Sequence, residues 1–227
     1  TLKLWDAATR AERATLAGHT GAVTACAISP DGIFVVSASL DKTLKVWDAA
    51  TGAERATLAR QTGGVTTCAI SPNGTFVVSA SSDKTLKVWD TAKAAERANL
   101  AGHTGAVNAC AISPDGSFVV SASWDNTLKV WDAVTGTERA TLAGHTGWVN
   151  ACEISPDGAF IVSASWDKTL KVWDAAMGAK RATLAGHTGE VTACAISPDG
   201  AFVVSASWDK TLKVWDAVTG TERATLA

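Results

Sequence analysis

Across residues 144–185 apolar and polar positions alternate in short bursts, and turn-forming residues break the pattern every 6–10 residues. "WVNACEIS" is closed by "PDG", "AFIVSAS" by "WDK", and "TLKVWD" by a loop that leads into "KRATLA". Each burst has the two-residue period of an extended strand, and Pro-Asp-Gly and Asp-Lys supply the turns. In the second burst Phe160, Val162 and Ala164 share one face, and Ile161, Ser163 and Ser165 share the other. In the third, Leu170 and Val172 oppose Trp173. Apolar groups on both faces predict a small four-stranded sheet covered on both sides. The "AERATLA" segments are rich in helix formers, but a helical repeat needs two longer runs with apolar spacing at i, i+3, i+4 and i+7. Turns interrupt the chain too often for that.

This pattern recurs with a period of 42. Trp5, Trp47, Trp89, Trp131, Trp173 and Trp215 follow at that step, as do Cys26, Cys68, Cys110, Cys152 and Cys194. The "ISP(D/N)G" turns at Ile28, Ile70, Ile112, Ile154 and Ile196 keep the same interval. Five whole units, 18–59, 60–101, 102–143, 144–185 and 186–227, follow an opening piece, 1–17, that matches the end of a unit. One module is repeated; there is no pair of domains joined by a linker.

Units of about 42 residues, with Gly-His near the start and Trp-Asp near the end, resemble the WD40 repeat. The resemblance covers the whole chain. It implies an all-β fold, a β-propeller of five full four-stranded blades plus an N-terminal half-blade, as part of a seven-bladed ring or of an oligomeric assembly. It also implies a hydrogen-bonded chain of His, Ser, Asp and Trp in each blade. The matching positions are His19, Ser37, Asp41 and Trp47; His103, Ser121, Asp125 and Trp131; His145, Ser163, Asp167 and Trp173; and His187, Ser205, Asp209 and Trp215. A buried indole N–H needs an acceptor, and a satisfied polar chain outweighs isolated bonds. The second unit departs, with Arg60-Gln61 in place of Gly-His, and its blade is expected to be the loosest.

"SASWDKTLKVWD", residues 163–174, holds Trp-Asp twice. Trp173 is expected in the core, Asp174 at the start of the following turn, and Asp167 in the polar chain. Trp166 falls in the tight turn, where a large indole has no structural duty.

Near-identical units make their differences informative. The position before the turn Asp reads Leu40, Ser82, Trp124, Trp166, Trp208, and the one after "(H/Q)TG" reads Ala22, Gly64, Ala106, Trp148, Glu190. Two residues further on are Thr24, Thr66, Asn108, Asn150 and Thr192. By the resemblance these columns face the top rim, where partners bind. Trp124, Trp148, Trp166, Trp208, Leu40, Glu190, Asn108 and Asn150 are therefore the candidate site for a protein or peptide. The competing reading is that the indoles merely shield neighbouring turns or were copied by duplication.

Composition narrows the functions. The chain has ten Trp and no Tyr, a bias that fits a repeated role for indole. A net charge of −2 gives no reason to expect nucleic acid or an anionic membrane as a partner. No apolar run approaches the roughly 20 residues of a membrane-spanning helix. All four His lie in the Gly-His slot, no His and Cys share a metal-ligand spacing, and Glu153, alone where other units have Ala, has no acid–base partner. Neither an enzyme nor a metal or cofactor site is expected. The repeated cysteines read as small core hydrophobes, reduced in a cytoplasm. "NGT" at Asn73 matches a glycosylation sequon, but Asn73 simply replaces Asp in the turn.

The opening "TLKLWD" begins in mid-pattern, and a longer chain is expected around it. Units this alike resemble bacterial WD40 arrays attached to signalling NTPases and kinases, which implies a sensing or scaffolding role. The alternative is a recently amplified or engineered array that self-assembles through unpaired blade edges and has no dedicated ligand.

Overall fold

A computed structural model describes every residue of the chain except Arg60. The opening pair is β1 (Leu2–Trp5) and β2 (Glu12–Leu16). The first full sheet holds β3 (Val23–Ile28), β4 (Phe34–Ser39), β5 (Leu44–Asp48) and β6 (Glu54–Leu58); the second holds β7 (Val65–Ile70), β8 (Phe76–Ser81), β9 (Thr85–Asp90) and β10 (Ala95–Ala101). The third is β11 (Val107–Ile112), β12 (Phe118–Ser123), β13 (Thr127–Asp132) and β14 (Glu138–Ala143). The fourth is β15 (Val149–Ile154), β16 (Phe160–Ser165), β17 (Thr169–Asp174) and β18 (Lys180–Ala185). The fifth is β19 (Val191–Ile196), β20 (Phe202–Ser207), β21 (Leu212–Asp216) and β22 (Glu222–Leu226). Every sheet is antiparallel, with its strands in chain order. No helix occurs among the described residues, so none is long and apolar enough to cross a membrane.

Turn chemistry fixes the strand ends. In the fourth sheet Ser155 Oγ and the Ala159 N–H both donate to Asp157 Oδ1, at 2.6 and 3.0 Å, while Gly158 takes a φ of 72°. That left-handed conformation suits glycine. At the opposite end Asp167 Oδ1 accepts from the Thr169 N–H at 3.0 Å and its hydroxyl at 2.6 Å.

Sheets stack face to face. The forward face of the third sheet, Phe118, Val120, Ala122, Leu128, Val130 and Leu142, packs on Val149, Cys152, Ile161 and Trp173 of the fourth. The same arrangement joins the first sheet to the second, the second to the third, and the fourth to the fifth. Each junction buries several Val, Leu, Ile and Phe side chains, each worth about 1.5–3 kcal/mol when fully covered, and sets one indole under its neighbour.

The sheets do not close into a ring. The rule that every sheet is covered on both sides therefore fails at the two ends. On the fifth sheet Leu212 and Leu226 are exposed on the forward face, and on the first Ile28 is exposed on the backward face. Cys26 shares that backward face and is exposed, not a core hydrophobe; Cys68 and Cys152 are buried, and Cys110 and Cys194 are half-buried. Burial pushes the Cys110 thiol up to about 12, so it stays protonated and inert.

Candidate functional site

Two sets of residues carry the recurring and the variable features of the rim. The recurring set is a polar chain. Trp47, Trp131, Trp173 and Trp215 donate their indole N–H to Ser37, Ser121, Ser163 and Ser205 at 2.8–2.9 Å. Each serine hydroxyl lies 2.7 Å from Nε2 of His19, His103, His145 or His187. Nδ1 of the same rings sits 2.6–2.8 Å from Asp41, Asp125, Asp167 or Asp209. An ionised carboxylate only accepts, so Nδ1 carries the proton; Nε2 then takes the serine O–H, and the serine oxygen takes the indole N–H. With that tautomer every polar atom of the chain is satisfied.

The same carboxylates hold the loop that precedes β15 and its counterparts. Asp167 Oδ2 accepts the Thr146 N–H at 3.1 Å, and Asp125 the Thr104 N–H at 2.9 Å. Burial pushes the Asp167 carboxyl up, but hydrogen bonds from His145, Thr169 and the Thr146 N–H outweigh it and hold the group well below the usual range.

The second unit shows what the substitution at 61 costs. Arg60 lies outside the described residues. Gln61 Nε2 donates to Ser79 Oγ at 2.8 Å, and Trp89 donates to the same oxygen at 2.9 Å. Gln61 Oε1 is buried with no partner. Asp83, without an imidazole, accepts from the Thr62 N–H at 2.8 Å.

The variable set is dominated by indoles. Trp124 and Trp148 stack at 4.5 Å with 15° between their planes; Trp148 and Trp166 lie 4.5 Å apart, and Trp166 and Trp208 5.5 Å apart. The four rings form one continuous run across the third, fourth and fifth sheets. Trp124 is 44% exposed, Trp148 37% and Trp208 63%, against 1% for Trp131 and Trp173. Trp166, expected to stand free, is half-buried between its neighbours. Two turn residues reach over the next unit: Trp124 stacks on Trp148, and Leu40 covers Gly64, where a side-chain carbon would lie 2.9 Å from Leu40 Cδ2. Leu40 itself is exposed on the rim, and Glu190 is half-buried there, its carbonyl accepting the Trp208 N–H at 3.0 Å.

Asn108 and Asn150 belong elsewhere. Asn150 Nδ2 donates to the Val191 carbonyl of the next sheet at 3.2 Å, as Thr24 and Thr66 donate to Val65 and Val107. Asn108 is half-buried in the same slot, its Nδ2 without a partner. This column bridges inner strands and does not face the rim, because its position in the strand turns it toward the following sheet.

Chemistry beyond contact has little material. Glu153 opens to solvent on β15, although the strands around it desolvate its carboxyl enough to raise its pKa. Among the described residues no three His, Cys, Asp or Glu are placed to hold a metal ion. Recurring clefts at the opposite end of the sheets are lined by residues such as Phe34, Val46 and Arg55, and Arg55 is occupied by Asp48 at 2.6 Å.

A family model described as "WD domain, G-beta repeat" matches residues 11–48, 52–90, 95–132, 136–174 and 178–216. Each match begins at, or within two residues before, the outermost strand of one sheet and ends on the third strand of the next. No curated protein matches the chain.

Two outcomes follow for the polar chain. Replacing Ser163 by Ala orphans the Trp173 N–H and His145 Nε2 together, and costs about 2–4 kcal/mol; urea unfolding measures it, and a loss below about 1 kcal/mol contradicts the role given to this hydroxyl. Gln61→His supplies the missing acceptor and donor and stabilises the second blade by about 1–2 kcal/mol. Amide exchange in β8 and β9 should slow accordingly, and unchanged exchange would show that the orphaned amide costs nothing.

Proposed function

The chain belongs to the WD40-repeat family, and on that premise we propose that it is a non-enzymatic interaction platform whose indole run docks a protein or peptide. WD40 repeats commonly mediate protein interactions or scaffolding, and proteins built from them are generally not enzymes. One observation carries the reading: four indoles in a row, spanning three sheets, stay open to solvent in whole or in part, whereas Trp47, Trp89, Trp131, Trp173 and Trp215 of the recurring slot are buried and Trp5 is exposed only where the array ends.

Mutual stacking accounts for part of this arrangement, since the rings shield one another. It leaves the outer edge of Trp208 and the flank of Trp124 uncovered. Indoles on a rigid base make effective anchors, because little conformational freedom is lost on binding. The base is rigid for a stated reason: the turn that carries Trp166 is held by Asp167, which also holds the preceding loop. The partner is a segment with apolar side chains to lay along the rings. Glu190, beside Trp208, favours a basic group at that end. Such a platform suits the sensing part of a larger signalling protein.

A second reading, self-assembly, draws on the two open ends. The exposed forward face at Leu212 and Leu226 holds the positions that, inside the array, are covered by the backward face of the next sheet. At the other end the opening pair covers Val35 and Trp47 on the backward face of the first sheet and leaves Ile28 and Cys26 open. Head-to-tail contact between copies would cover both.

For the first reading, peptides selected from a displayed random library should bind the intact chain. They should lose at least about 30-fold in affinity to the Trp166→Ala, Trp208→Ala double variant, with the circular dichroism of the fold unchanged; equal binding to both proteins sinks the rim as the docking surface. For the second, light scattering across concentrations should give a defined oligomer that Leu212→Glu dissociates. A monomer at every concentration rejects it.

A further inference from the structure

One unit breaks a charge pattern that the others keep. On the outer half of each sheet a lysine from the third strand meets a glutamate at the start of the fourth. Lys45 donates to Glu54 at 2.7 Å and to Thr57 Oγ1 at 2.8 Å. Lys129 makes the same two bonds to Glu138 and Thr141, both at 2.8 Å, and Lys213 to Glu222 and Thr225 at 2.8 and 2.7 Å. Lys3 pairs with Glu12, and Lys87 reaches Glu96 at 3.1 Å. In the fourth unit the glutamate is replaced by Lys180. Lys171 is left with one weak bond, to Thr183 Oγ1 at 3.3 Å.

The space the carboxylate would fill is still built. In the first, third and fifth units a side-chain carbon placed on Gly18, Gly102 or Gly186 would meet the glutamate Oε2 at 3.0–3.1 Å. At Gly144 it meets only the Trp173 ring, at 3.2 Å and beyond, and a methylene of Lys171 at 3.9 Å. The Trp173 wall of the slot stands as in the other units, Lys171 lies slightly further off, and no atom takes the glutamate oxygen's place. Lys171 is only 7% exposed. A buried ammonium with no carboxylate in contact, facing a second lysine, is costly. Burial pushes its pKa down, Lys180 adds to that effect, and Asp167 opposes it.

We propose that the fourth sheet binds a small oxyanion, a carboxylate or phosphate, between Lys171, Lys180 and Thr183, in the place where the other units hold their own glutamate. The ligand oxygen takes the position of Glu Oε2. It accepts from the Lys171 ammonium and attracts the exposed Lys180 ammonium, which can swing in from the sheet edge. The same chemistry is offered by a free carboxylic acid, by inorganic phosphate or by an acidic side chain of a bound polypeptide.

Lysine 13Cε signals of the whole chain report the site directly, with Lys171 assigned from a Lys171→Arg variant. Acetate, then phosphate, then a glutamate-bearing peptide are titrated at constant ionic strength in sodium chloride. The Lys171 signal should shift saturably, with half-saturation roughly millimolar, toward its position in Lys180→Glu, where the slot is filled internally and no saturable shift remains. Lys180→Gln should keep the response, weakened about threefold. Saturation by acetate and phosphate alone identifies free anions, and saturation at lower peptide concentration identifies an acidic partner; both support the site. A Lys171 shift no larger than those of Lys45 and Lys129, or one that persists unchanged in Lys180→Glu, overturns it.

Discussion

An indole N–H closed between two sheets has one acceptor within reach, a serine hydroxyl on the neighbouring strand, and the rest of the unit is arranged around that bond. Ile161 faces Trp173 and Ser163 faces Lys171 across β16 and β17. A one-residue slip would turn Trp173 to the other face and strand its N–H. The histidine reaches the same serine from the loop before the first strand, and the aspartate that holds the histidine sits in the turn between the second and third strands. One chain of bonds thus ties a loop, a turn and two strands, at opposite edges of the unit's sequence. The rim is stiff because its two exposed columns flank members of that chain.

Periodicity made the strands readable in advance, and the resemblance implied the polar chain and the burial of the tryptophans of the full units, since each depends on residues inside one unit. What it did not reveal depends on pairs of units. The stack of Trp124, Trp148, Trp166 and Trp208 forms because the turn residue of one unit leans over the post-loop residue of the next. A signal for this was present: Gly64 follows Leu40, and Ala106 follows Ser82, so a small residue already stood in the receiving column. Asn150 was placed on the rim for the same reason of perspective, because its partner is a carbonyl in the following sheet. Cys26 was read from the four buried or half-buried copies, whereas its own exposure is set by the missing neighbour.

Small departures from a strict repeat have different consequences in different slots. Gln61 sits where two partners, a serine hydroxyl and a carboxylate, must be matched at once, and its amide leaves one atom unpaired. Lys180 sits at the edge, where solvent can hydrate it, and the strain falls on the buried Lys171 instead. Trp148, in a column that tolerates Ala and Gly, extends a stack and disturbs nothing beneath it. Tolerance thus follows the number of polar atoms that a slot obliges its occupant to satisfy.

The offset between the matched segments and the sheets bears on how such an array grows. Since a segment starts at the last strand of one sheet and stops on the third of the next, every unit is stitched into two layers. Crossing-over between near-identical gene copies, at any phase, rejoins strands whose edges and faces already correspond. Losing or gaining 42 residues therefore leaves the packing of strands at each remaining junction the same. Array length becomes a quantity that recombination can vary freely, while the order of the rim columns, and with it the pattern shown to a partner, is reshuffled at each event.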